Sequence, residues 1–141
     1  MTQKQYPMAA VRWTVAAAIA IACSSPAFAQ VAVVVHPKSA LAAMTSEQAA
    51  NIFLGKTPGV ATDLPEGSPV REQFYTKATG KSPAQVKAIW ARLTFSGKAV
   101  PPKELPSAAE VKKFISADPE AIGYIQKSDA DSSVKVILEL N

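Results

Sequence analysis

The chain has 141 residues, 48% of them hydrophobic and 18% charged, a formal net charge of +4 at neutral pH, one cysteine and one histidine. This length suits one domain with a real core. A lone cysteine excludes a disulfide framework and a thiolate metal cluster, and no basic run with interleaved aromatics points to nucleic acid as a partner.

The first element reads as a targeting segment. Lys4 and Arg12 make a positive start with no acidic residue nearby, and Val15 to Ala22 is a short apolar run. That run is well below the ~20 residues a spanning helix needs. Ala27-Phe28-Ala29 fits the small-x-small cleavage pattern, so residues 1–29 are expected to be a signal peptide cut after Ala29. The alternative, lipoprotein processing at Cys23, has a poorer box because Ile21 stands next to Ala22. The expected mature chain, residues 30–141, is one secreted or periplasmic domain with no cysteine and no transmembrane span. It keeps thirteen Lys/Arg against eleven Asp/Glu, a balance of only +2.

Strands and helices then alternate. Val31 to Val35 is a β-branched run, apolar on both faces, as in a strand covered on both sides. Pro37 ends it. Thr45 opens a helix with a capping box to Gln48, carrying Ala49, Ile52 and Phe53 on its apolar stripe, and Gly55 stops it. Ala61 to Leu64 is a short strand. Ser68 caps a helix that runs to Thr79, with Pro69 at its first position, Phe74 and Ala78 inward, and Gly80 closing it. Ser82-Pro83-x-Gln85 caps the next, where Val86, Ile89, Trp90 and Leu93 fall at helical spacing until Ser96-Gly97.

Val100 to Pro106 is a proline-rich link, expected to be an extended surface connection. Ser107-x-x-Glu110 caps a helix with Val111, Phe114 and Ile115 inward, broken by Asp118-Pro119. Ala121 to Gln126 is a strand whose Gly123 marks a close backbone approach. Val134 to Leu140 is the last strand. The order argues for an α/β or α+β layered domain; the strand order is not legible.

The turn Gly67-Ser68 gathers free backbone N–H groups at a helix start, where the dipole adds partial positive charge. Such a turn can cradle an oxyanion, although every well-capped helix begins this way. Three segments in order, Ile52-Phe53-Leu54-Gly55-Lys56, Gly67-Ser68 with Phe74, and Ala121-Ile122-Gly123-Tyr124-Ile125, resemble the phosphate-binding proteins of ABC transporters, within the periplasmic binding protein superfamily. Trp90-x-x-Leu93-x-Phe95-x-Gly97-Lys98 followed by Pro101-Pro102 resembles more closely the small single-domain secreted proteins of that kind. The resemblance covers roughly residues 31–140. It implies an α/β fold, a single layered domain resembling a reduced type II periplasmic binding protein lobe. It also implies phosphate or a related small oxyanion as ligand, and an ABC permease or another periplasmic protein as partner.

Two-lobed members hold phosphate with an Arg-x-Asp-Gly-Ser-Gly-Thr type segment. Gly67 and Ser68 match it, and Glu66 stands where the Asp would be. Leu64 replaces the Arg, Val70 replaces the Thr, and Pro69 replaces the second Gly and deletes a donor. Arg71, one turn into the helix, is a substitute source of charge. His36 and Ser39, in a His-Pro-Lys-Ser loop at a strand's C-terminal end, are the other candidate ligand contacts. The candidate oxyanion set is therefore Gly67, Ser68, Arg71, His36 and Ser39.

A lone His makes a poor metal site, so neither a metal nor a cofactor is expected. Ser96-Gly97-Lys98 reads as a helix C-cap before it reads as an anion site. No nucleophile–base set is identifiable, and Glu66 and Glu72 read as solvated charges, so an enzyme is not expected. Two functions remain: a secreted solute-binding-like protein with a weak oxyanion site, or a module of the same fold that acts through protein–protein contact.

Overall fold

The computed structural model describes residues 2–3 and 30–141, so the expected signal peptide, its cleavage after Ala29 and the alternative at Cys23 lie outside the described residues. The elements in chain order are β1 (Val31–Val35), α1 (Ser46–Phe53), β2 (Val60–Asp63), α2 (Pro69–Thr79) and α3 (Pro83–Phe95). There follow β3 (Lys103–Glu104), α4 (Ala108–Ala117), β4 (Ala121–Gln126), a 3-10 turn (Lys127–Asp129) and β5 (Lys135–Leu140).

Local chemistry sets the helix boundaries. Thr45, Ser68, Ser82 and Ser107 are all N-caps whose side-chain oxygens accept the N–H three residues on. Thr45 and Ser82 complete full capping boxes with Gln48 and Gln85. Gly80 ends α2 with φ 69°, a left-handed conformation that costs glycine little.

The five strands form one mixed sheet in the order β3-β2-β4-β1-β5. β1 runs antiparallel to both β4 and β5, with a register shift at Val33/Val34 on the β5 side. β2 runs parallel to β4 and to β3. β1 is buried on both faces, as its unbroken apolar run requires.

Side chains alternate along β4 and so define two layers of helix. Tyr124 points to the α2 face, where its ring stacks on Phe74 at 4.0 Å and meets Phe53 of α1 edge-on at 5.7 Å. The Gly123 position faces α4 on the other side. A Cβ there would stand 2.5 Å from Thr62 Oγ1 and 2.9 Å from Val111 Cγ1, which is the close approach that glycine inside a strand announces.

Two elements differ from the sequence reading. The proline-rich link contains β3, a two-residue parallel edge strand held by Leu105 N–H donating to Asp63 O at 2.8 Å. Helical α3 is present, but among its apolar residues only Val86 is buried. Its i, i+3, i+4 spacing gives a helix with a stripe; nothing in the spacing supplies a neighbour to cover it. No helix among the described residues is long and apolar enough to cross a membrane.

Candidate functional site

Because β2 and β3 are parallel, the helices that follow them both begin at the same edge of the sheet. α2 and α4 lie on opposite faces, yet their N-termini open into one hollow of about 370 Å³ lined by Leu64, Gly67, Ser68, Val70, Ser107 and Asp129, among others. This is where open α/β sheets place ligands.

The donors at this edge can be counted. Ser68 N–H is spent on Pro65 O, Pro69 has none, and Arg71 N–H is spent on the Ser68 hydroxyl at 3.4 Å. At α4, Glu110 N–H is spent on Ser107 Oγ. The second-position amides of both helices, Val70 and Ala109, and the first-position amide of Ala108 have no intramolecular acceptor among the described residues. These donors and two helix dipoles favour negative charge. No cationic side chain lines the hollow, and the Asp129 carboxylate opposes an anion.

The five residues singled out from the sequence are not brought together. Gly67 and Ser68 line the hollow. His36 and Ser39 follow β1, whose end pairs with the beginning of β4 (Val35 opposite Ile122), while the hollow lies at the far end of β4 beside Gln126. The separation is about 15–20 Å along the sheet. Antiparallel pairing of β1 with β4 is the cause: it turns the C-terminal end of β1 away from the C-terminal ends of the parallel strands. His36 instead closes a local turn, its Nδ1 accepting from Lys38 N–H at 3.0 Å, and Ser39 Oγ accepts from Leu41 N–H at 3.3 Å.

Arg71 is also elsewhere. Its position three residues past the cap points it inward, where its Nη1 donates to Leu64 O at 2.9 Å and its Nη2 lies 3.5 Å from Asp63 Oδ2. A second carboxylate, that of exposed Glu104, stands 3.7 Å away. Arg71 is therefore buried and paired, not offered as an anion clamp. Ser96, Gly97 and Lys98 form a helix C-cap, with Gly97 at φ 68° and Lys98 N–H donating to Leu93 O.

The sequence reading passed over the polar knot around Asp63. Its carboxylate accepts from Tyr75 OH at 2.7 Å, from Tyr124 OH, and from Leu64 N–H at 3.0 Å. Burial raises the Asp63 pKa above its ordinary value of 3.8, against the opposing pull of the two phenols and Arg71. Burial, reinforced by the Asp63 charge, also pushes both tyrosines upward. The readable signal was Arg71 and Tyr75 at i, i+4 on the face that also carries Phe74. Among the described residues no group of three or more His, Cys, Asp or Glu side chains is placed to hold a metal ion.

One mixed sheet with helices on both faces, and parallel strands delivering helix N-termini to one edge, is the architecture of a periplasmic binding protein lobe. The solved structures it resembles are of a particular kind. A protein from Clostridium perfringens described as a phosphate ABC transporter substrate-binding protein, with bound phosphate, matches 77% of this chain at 21% identity and a TM-score of 0.61. An ABC-type phosphate transport receptor from Vibrio cholerae matches 77% at 20% identity and a TM-score of 0.60. PstS from Borrelia burgdorferi matches 77% at 16% identity and a TM-score of 0.55. The matched region spans 45%, 46% and 47% of those three chains. No protein-family pattern and no curated protein matches the chain in sequence.

Proposed function

We propose that this chain is a secreted, non-enzymatic, solute-binding-like protein whose hollow at the α2 and α4 N-termini takes phosphate or a related small oxyanion weakly. The observation that carries the reading is the convergence of two capped helix N-termini, with unspent amides, on one edge of a periplasmic-binding-protein lobe. The phosphate-transport neighbours support the ligand class; an ABC permease is the partner that class implies. Weakness follows from the same site: no cation, one opposing carboxylate, and an open side where water competes for each bond.

The test is thermal or urea stability at low salt with phosphate, arsenate and sulfate. For a dissociation constant of about 1 mM, 10 mM ligand adds about 1.4 kcal/mol. A flat response across the panel would sink the oxyanion reading.

The second reading, a module of this fold that acts by protein contact, is favoured by one specific observation. Arg71, the cation nearest the turn in sequence, is committed to Asp63 and Leu64 in the interior. A flat oxyanion panel leaves this second reading in place.

A further inference from the structure

Charge along the chain is segregated. From Gln73 to Lys103 there are six cations, Lys77, Lys81, Lys87, Arg92, Lys98 and Lys103, and no Asp or Glu. The remainder of residues 30–141 holds seven cations against eleven acids, a balance of −4. This basic stretch runs from the second half of α2 through α3 to the start of β3. Among its six cations only Lys87 makes an ion pair with another described residue, at 3.1 Å from Glu66.

The same stretch carries the two most exposed large hydrophobic residues among those described. Phe95 is 95% exposed and Val100 88%. Lys87, Trp90, Ala91, Thr94 and Phe95 lie at i, i+3, i+4, i+7 and i+8, a single helical face. With Pro101 and Pro102 that face lines a groove of about 580 Å³, which also holds nine-tenths-buried Arg71, Asp63 and the exposed carboxylate of Glu104. Arg71 Nε has no acceptor among the described residues. Trp90 and Pro102 also line a second hollow, of about 390 Å³, that holds Lys56 and Lys98. Trp90 itself is fixed, its Nε1–H donating to Phe53 O at 2.9 Å.

We infer that this face docks a protein partner which presents apolar side chains flanked by Asp or Glu. Two recesses that share a fixed indole have room for several inserted side chains, which a fluid lipid surface does not need. Lys56 and Lys98 around the second hollow, which have no ion pair among the described residues, select acidic flanks and speed encounter. A buried aromatic anchor with a charged rim is the usual anatomy of a protein interface. The inference stands whether or not the hollow at the α2 and α4 N-termini takes an anion.

The probe is a displayed library of random 16-residue peptides selected on the full chain. Enrichment of sequences with aromatic or aliphatic residues beside Asp/Glu supports the proposal. So does at least tenfold weaker binding of the selected peptide to Phe95→Ser and to the Arg92→Glu/Lys98→Glu double variant. All three residues are exposed, so the fold tolerates their change; unchanged circular dichroism checks this. Selected peptides without acidic residues, or binding indifferent to these variants, would overturn it. Phe95-dependent sedimentation with vesicles containing 30% phosphatidylglycerol, in the absence of peptide selection, would overturn it in favour of a membrane surface. Phe95-dependent dimers in analytical ultracentrifugation would overturn it in favour of a second copy of the chain.

Discussion

Asp63 is a carboxyl enclosed by two phenols, a backbone amide and a guanidinium. Because burial raises its pKa, the folded state holds its proton more tightly than the unfolded state does. Its contribution to stability is therefore full below about pH 3.8 and declines as pH rises through the interval up to the folded value. Asp63→Asn should gain on the wild type as pH rises above about 3.8 in urea denaturation; a gap that does not change with pH would contradict the raised pKa. Arg71→Ala removes the cation beside a buried carboxyl and the donor to Leu64 O, at a cost of about 3 kcal/mol. The Asp63→Asn/Arg71→Met double variant should lose less than the sum of its single changes, and strict additivity would show that the pair is not coupled. At the hollow, Asp129→Asn removes the one charge opposing an anion. It should lower the phosphate dissociation constant severalfold in the same titration, and an unchanged constant would place phosphate elsewhere. At this scale the cap residues were legible, because a cap is decided by neighbours three positions apart. The Asp63 knot was not, because Tyr124 reaches it from 61 residues away.

Among the elements, β1 and β4 have the bounds that composition alone suggested, Val31–Val35 and Ala121–Gln126. The start of α2 was equally legible from Ser68-Pro69. Ser68→Ala should destabilise the fold by about 1 kcal/mol through loss of that cap, readable as a lowered urea midpoint with an unchanged slope. Gly123→Ala tests the sheet against α4. The added methyl meets Thr62 and Val111 inside ordinary contact distance, so a loss of about 1–3 kcal/mol is expected; a neutral result would mean that α4 yields without cost. β3 escaped the sequence reading because a two-residue strand has no periodicity, and its strand character comes entirely from β2 beside it. α3 shows the converse. Its stripe at Val86, Ile89, Trp90 and Leu93 was legible, while its sparse cover was not.

For the whole molecule, the governing fact is that the matched region spans under half of each phosphate-transport neighbour. The anion proposed for the open hollow would stay in contact with water, so its binding should fade with ionic strength. Raising sodium chloride from 0.02 to 0.5 M (about 20 Å to 4 Å in screening length) should erase the phosphate-induced stabilisation. Persistence at high salt would point to an enclosed site. The sequence by itself determined the four helices with their starts, the longer strands and the apolar core of β1, because these depend on side chains a few residues apart. It also carried the ordered motifs that resemble phosphate-binding proteins. Only the tertiary structure decided the order β3-β2-β4-β1-β5, and with it the site. Parallel β2 and β3 bring Ser68 and Ser107 to one hollow, and antiparallel β1 carries His36 and Ser39 to the opposite edge. Strand direction in a sheet is settled by long-range pairing, which local sequence does not encode.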